Sequence, residues 1–119
     1  MAQKDQLGRR GEDEAAAYLT ALGWRIVDRN WRCPSGEIDI VALDGTELVI
    51  VEVKTRSGRG YGDPLEAVDP RKLTRLCILA GAWRRAHRDV RARTTRIDLI
   101  GVLAERHREP VLDHLRAAA

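Results

Sequence analysis

The sequence predicts an α/β protein: a single mixed β-sheet flanked by helices, in the order α-β-β-β-α-β with a short closing strand. Three observations predict it. A helical stripe opens the chain, three β-type segments follow with turn signals between them, and a second helical stripe precedes one more apolar strand. At 119 residues, 44% hydrophobic and 33% charged, the chain is long enough for one globular domain over residues 1–119 and little more.

From about Asp5 to Leu22, the residues Leu7, Ala15, Tyr18, Leu19 and Leu22 recur at helical spacing. Gly23 follows where a helix C-cap favours a residue tolerant of positive φ. Gly8 and Gly11, inside this helix, each cost roughly 1 kcal/mol against alanine, so close approach to a sheet or ligand is expected there. Trp24 to Trp31 reads as the first strand, ended by the turn Cys33-Pro34-Ser35-Gly36. Glu37 to Leu43 alternates polar and apolar, and Asp44-Gly45 signals a hairpin into the strand Glu47 to Thr55. That strand begins LVIV, apolar on both alternating faces, as in the middle of a sheet.

The glycine-rich stretch RSGRGYGDP lacks the lysine and spacing of a phosphate-binding P-loop and reads as a mobile loop. Asp69-Pro70 is an N-cap followed by proline at N1, and Leu73, Leu76, Cys77, Ala80 and Trp83 give the helix after it one apolar face. Arg96 to Leu103 is a further strand and Val111 to Leu115 a short last one. The closing residues 116–119 are expected to fray.

No apolar run approaches the ~20 residues that span a bilayer, and the polar start MAQKDQLGRRGEDE has no secretory h-region; a cytoplasmic location without membrane partners is expected. Cys33 and Cys77 have neither metal-ligand spacing nor a disulfide framework around them. His87, His107 and His114 are scattered and read as surface residues. The net charge is +3, and Arg84, Arg85, Arg88, Arg91, Arg93 and Arg96 crowd into one short stretch. The stripe either tracks phosphates or is a solvated helix end.

The chemistry-bearing constellation lies on the second and third strands. Alternation places Glu37, Asp39 and Val41 on one face and Ile38, Ile40 and Ala42 on the other, while Leu48, Ile50, Glu52 and Lys54 share a face. If Asp44-Gly45 forms the turn, Glu37 faces Glu52 and Asp39 is diagonal to it; if Gly45-Thr46 does, Asp39 faces Glu52 directly. Either register gathers Glu37, Asp39, Glu52 and Lys54 at one end of one face, unless a bulge intervenes. Opposed like charges destabilise a sheet, and carboxylates are rarely buried unless paired or bound to metal. One reading is a solvated edge with cross-strand salt bridges. The other is a Mg²⁺ or Mn²⁺ site for phosphodiester hydrolysis, with the lysine orienting water or meeting developing charge.

The segments GEIDIVALDG and VEVKTR, with GRRGEDEAA upstream and RIDLIGV downstream, resemble the YraN family of small bacterial proteins. That family is similar to archaeal Holliday junction resolvases and to the restriction-endonuclease-like superfamily. The resemblance runs from about Leu7 to Val102 and implies a restriction-endonuclease-like αβββαβ core. It also implies that Asp39 and Glu52 are metal ligands, Lys54 the catalytic lysine, and Glu12 a helix-borne acid reaching the same site. Glu37 matches the family pattern as a further acid beside the site. Ile38 stands where the best-known superfamily signature has proline.

The function expected on this basis is a divalent-metal-dependent endonuclease acting on DNA, branched or damaged DNA included, with no small-molecule cofactor. Arg9, Arg10, Arg56, Arg59, Lys72, Arg84 and Arg88 are the expected nucleic-acid contacts. The alternatives are a non-catalytic nucleic-acid-binding module of the same fold and a protein-interaction domain whose subunits pair through Trp83 and its neighbours. A homodimer fits the two-fold symmetry common among oligomers.

Overall fold

The computed structural model describes residues 6–58, 65 and 69–119. Most of the glycine-rich loop, Arg59 included, lies outside the described residues. The elements are α1 (Gln6–Ala21), β1 (Arg25–Cys33), β2 (Gly36–Asp44), β3 (Glu47–Arg56), α2 (Pro70–Ala86), β4 (Thr94–Leu103) and β5 (Val111–Leu115). They form one five-stranded mixed sheet in the order β1-β2-β3-β4-β5. Pairing is antiparallel except between β3 and β4, whose parallel alignment requires the long crossover that contains α2.

The apolar run of β3 occupies the middle of this sheet, and its alternation feeds two cores. Val49 and Val51 join Ile40, Ala42, Ile100 and Val102 beneath Ala15 and Leu19 of α1. Leu48 and Ile50 join Val41, Ile97 and Leu99 beneath Leu76, Leu79 and Trp83 of α2. Each helix therefore buries its apolar stripe on its own face of one sheet.

The strands follow their predicted places with local differences. Asp44 pairs with Glu47, so Gly45 and Thr46 form the hairpin turn. Gly45 holds φ +61° at the first central position, where type II′ hairpins need glycine. Ile38 packs with the α2-side cluster rather than with Ile40 and Ala42, because strict alternation breaks beside Asp39. Asn30, between the paired residues Arg29 and Trp31, has φ +54°, a local kink in the facing strand.

Four local expectations are corrected. Trp83 is 1% exposed, with its indole N–H donated to Asp28, so it cannot present a subunit interface. Leu79 takes the buried position on α2, and Cys77 is exposed. The His114 side chain is only 6% exposed, held between Asp98 and Tyr18. The last residues are not frayed: Ala118 N–H donates to the Ile97 carbonyl, and the Ala119 carbonyl accepts from Ile97 N–H. Among the described residues, no helix is long and apolar enough to cross a membrane.

Candidate functional site

The β2–β3 ladder runs from Asp44–Glu47 to Ile40–Val51 and stops there. One step further the same register sets Asp39 opposite Glu52. The ladder ends because the Asp39 side chain takes the donor a continued strand would use: its Oδ2 accepts from Val53 N–H at 2.8 Å. The bond fixes the carboxylate where the strands diverge. Asp39 and Glu52 are both only 7% exposed.

They open into a cavity of about 240 Å³ lined by Glu37, Asp39, Glu52, Lys72, Arg75 and the apolar Leu76 and Leu79. The α2 contribution follows from helical spacing: residues 72, 75, 76 and 79 fall on one side of the helix. Asp69 caps this helix by accepting from Lys72 N–H, and Pro70 sits in its first turn. The cap therefore fixes the turn that carries Lys72 to the carboxylates. Gly36, at φ +143°, also lines the cavity.

The electrostatics are those of crowded charge. Lys72 Nζ lies 2.7 Å from Glu52 Oε2, and Lys54 Nζ lies 3.8 Å from the same oxygen. Burial, followed by the charge of Asp39 and a hydrogen bond with it, pushes the Glu52 carboxyl above the usual carboxylate range. Burial also pulls the Lys54 ammonium below its usual value, and the neighbouring Lys72 lowers it further. Lys72 is opposed by burial, but its hydrogen bonds to Glu52 and Lys54 outweigh that and raise it. Of the two lysines, Lys72 is thus the firmer proton holder.

Glu37 lines the cavity and pairs with Arg32 across the β1–β2 ladder at 3.5 Å. Glu12 does not line it. The Glu12 carboxylate is 1% exposed and gripped by Arg29, through Nε at 3.2 Å and Nη2 at 3.1 Å, and by Asn30 Nδ2 at 2.8 Å. The kink at Asn30 brings its amide to the α1 side of the sheet. Among the described residues, no group of three or more His, Cys, Asp and Glu side chains is arranged to hold a metal ion.

Gly11 is the point of closest approach foreseen for α1: a Cβ there would lie 1.9 Å from Thr55 Oγ1. The first turns of α1 therefore rest on the end of β3 just beyond Lys54. Arg9 and Arg10 are exposed beside that contact, and Arg56 is half-buried with its guanidinium on the Thr55 carbonyl. Arg84 and Arg88 are elsewhere, at the far end of α2. Arg96 is not a free member of the basic stripe: it forks onto Asp98 and also meets Asp44 and Glu47.

Sequence reasoning expected Lys72 only as a nucleic-acid contact and missed Arg75. The spacing of both from Leu76 and Leu79, together with the Asp69 cap, was the signal available.

Two carboxylates can accommodate a hard divalent cation such as Mg²⁺, which is typically held by one or two of them with water completing the shell. The chemistry of the donor set fits: two acids at close range, one with its proton affinity raised by the other, gain from a shared counter-charge.

Residues 11–102 match the sequence pattern described as "Uncharacterised protein family UPF0102". A "UPF0102 protein" of Arthrobacter sp. (strain FB24) is 57% identical over 98% of both chains. One from Clavibacter michiganensis is 50% identical over 99% of both, and one from Streptomyces griseus is 47% identical over the full length of both. The matched stretch runs from α1 to β4 and the similarity continues across whole chains, so the protein belongs to the UPF0102 family, also known as the YraN family.

Proposed function

We propose that this protein is a divalent-metal-dependent endonuclease that hydrolyses DNA phosphodiesters at the Asp39–Glu52 end of the sheet. The observation that carries this reading is the pair of facing, buried carboxylates with Lys54 and Lys72 on the same Glu52 oxygen. Asp39 and Glu52 would hold Mg²⁺ or Mn²⁺. When bound, the cation would polarise the phosphate and offset the charge that builds on it.

The chain's own groups supply the rest. Val53 N–H keeps Asp39 fixed as ligand, and the apolar Leu76 and Leu79 limit water on one wall. Lys54 carries an ammonium whose proton is less tightly held than usual, suited to meeting charge on the attacking water or phosphate. Water adds to phosphorus and gives up a proton to solvent, the P–O ester bond breaks with its electron pair on the departing oxygen, and that oxygen takes a proton from the Lys54 ammonium, which solvent then restores.

One observation favours a second reading. Lys72 already neutralises Glu52 at 2.7 Å, so the quartet could be a self-satisfied charge cluster in a non-catalytic DNA-binding module. The two separate in one assay: cleavage of branched, single-stranded and duplex DNA with Mg²⁺ or Mn²⁺, by wild type, Asp39→Ala and Lys54→Ala. Loss of cleavage in both variants supports hydrolysis. Cleavage indifferent to both identifies a contaminant and removes the reading, and binding that persists in chelator with no cleavage selects the second.

A further inference from the structure

A larger concavity lies away from the carboxylates. It has a volume of about 550 Å³ and sits where the C-terminal end of α2, the segment leading into β4 and the β2–β3 hairpin meet. Arg84, Arg88, Arg91 and Arg93 line it with Val90 and Thr46, and no Asp or Glu is among its described lining residues.

This wall is held in place. Arg93 N–H donates to the Thr46 carbonyl at 2.7 Å, tying the segment to the hairpin. Arg84 spends its guanidinium on Thr95 Oγ1 at 2.6 Å and the Ala92 carbonyl at 3.0 Å, bracing the same segment from the helix. Arg88, Arg91 and Arg93 are exposed, and none has a carboxylate partner among the described residues. The nearby Arg96 shows the contrast: it is matched by Asp44, Glu47 and Asp98. Like charges gathered in one concavity repel, and an anion relieves that repulsion.

The matching anion is a phosphate chain. Guanidinium groups grip phosphate oxygens with paired donors, and the exposed Arg88, Arg91 and Arg93 line this cavity beside the braced Arg84. A volume of about 550 Å³ also exceeds what one small oxyanion fills. We propose that this arginine cavity binds the backbone phosphates of nucleic acid. It is a contact separate from the carboxylate cavity, and it rests on the hydrolase reading only in sharing DNA as the ligand. Twelve residues of α2 separate Lys72 from Arg84, about 18 Å at roughly 1.5 Å per residue. For a duplex lying along α2, that is about five base pairs at about 3.4 Å each. The cavity would hold the duplex about half a turn from the bond being cut.

The test measures binding of a labelled duplex two helical turns long, in chelator, by anisotropy across a salt series. The proteins are wild type, Asp39→Asn and the double variant Arg88→Gln/Arg91→Gln. Both arginines are exposed, and thermal unfolding checks that the fold is unchanged. Asp39→Asn should bind at least as tightly as wild type, because without metal it removes a carboxylate that repels phosphate. The double variant should bind on the order of ten-fold more weakly. Its slope of log affinity against log salt should be smaller by about 1.8, because two phosphates are no longer neutralised. An unchanged slope and affinity in the double variant overturns the proposal. So does wild-type binding of inorganic tripolyphosphate without binding of the duplex, which would make the cavity a small-anion site. Absence of cleavage in Mg²⁺ or Mn²⁺ by a wild type that binds in this arginine-dependent way in chelator counts against the hydrolase reading and supports the cavity assignment.

Discussion

Lys72 reaches Glu52 more closely than Lys54 does, 2.7 Å against 3.8 Å to the same carboxylate oxygen. The lysine on the neighbouring helix, not the one on the same strand, is the principal counter-charge of Glu52. A divalent cation drawn to Glu52 must compete with that ammonium. Lys72→Met should therefore strengthen Mn²⁺ binding. Lys72 is about a third exposed, so the pair is worth roughly 1 kcal/mol after screening, or about five-fold in affinity. Calorimetric titration of wild type, Lys72→Met and Glu52→Gln checks this, with Glu52→Gln expected to bind least. Weaker binding by Lys72→Met would show that the lysine supports the cation rather than displacing it.

The raised proton affinity of Glu52 has a sign that can be read in stability. Its cause is burial first and the adjacent Asp39 second. A carboxyl whose folded pKa lies above its unfolded value stabilises the fold fully below the unfolded value, near 4.3. That contribution is lost as pH rises through the folded value. Glu52→Gln does not titrate, so its stability relative to wild type should improve as pH climbs above the ordinary carboxylate range. Paired urea unfolding in chelator from about pH 4 to pH 8 reads the difference directly. A difference drifting the other way would show that Glu52 ionises more easily in the fold than in the unfolded chain.

Much of this arrangement is legible in the residues themselves. LVIV announced a strand buried on both faces, and β3 is one, because Val49 and Val51 feed one core while Leu48 and Ile50 feed the other. Asp69-Pro70 announced the start of α2, and Gly11 the close approach to the sheet. Whether Asp39 faced Glu52 or lay diagonal to it hung on a one-residue choice of turn. Asp44-Gly45 and Gly45-Thr46 both place glycine where positive φ is needed, so local chemistry could not choose. Glu12 was legible only through the resemblance, as a helix-borne acid reaching the carboxylate site, and neither its burial nor its placement was. Its partner Asn30 sits at a kink in β1, at a positive φ that asparagine tolerates, but a single Asn inside a strand pattern does not say which way its side chain will turn. The same holds for His114 and the C-terminus, whose order comes from a partner, Asp98, in another strand.

Asp98 is fully buried and satisfied from three directions: the Arg96 fork, His114 Nε2 at 2.7 Å and Ala117 N–H at 3.0 Å. It ties β5 and the last residues to the sheet. Asp98→Ala leaves the Arg96 charge and the His114 ring without their shared acceptor, and should cost about 3–5 kcal/mol. Chemical denaturation measures the loss, and amide exchange at Ala117 and Ala118 should rise well before exchange in β3. Equal acceleration in both places would mean that the C-terminal segment and the sheet open as one unit.

Gly11 offers the sharpest test of how α1 is seated. In an ordinary helix interior, glycine to alanine stabilises by about 1 kcal/mol. Here the new methyl would lie 1.9 Å from Thr55 Oγ1 and 2.8 Å from Thr55 Cβ, so helix or strand must move. Overpacking of this kind costs about 1–3 kcal/mol, enough to reverse the sign. Gly11→Ala should therefore lower stability, and because Thr55 adjoins Lys54, the displacement should also disturb the carboxylate end of β3. Adding Thr55→Ala removes the hydroxyl and methyl but keeps Cβ, so the double variant should recover only part of the loss. A double-mutant cycle by urea unfolding, with Mn²⁺ affinity as second readout, measures both effects. If Gly11→Ala instead stabilised the protein and left metal affinity unchanged, α1 would not be pressed against Thr55, and the glycine would need another explanation.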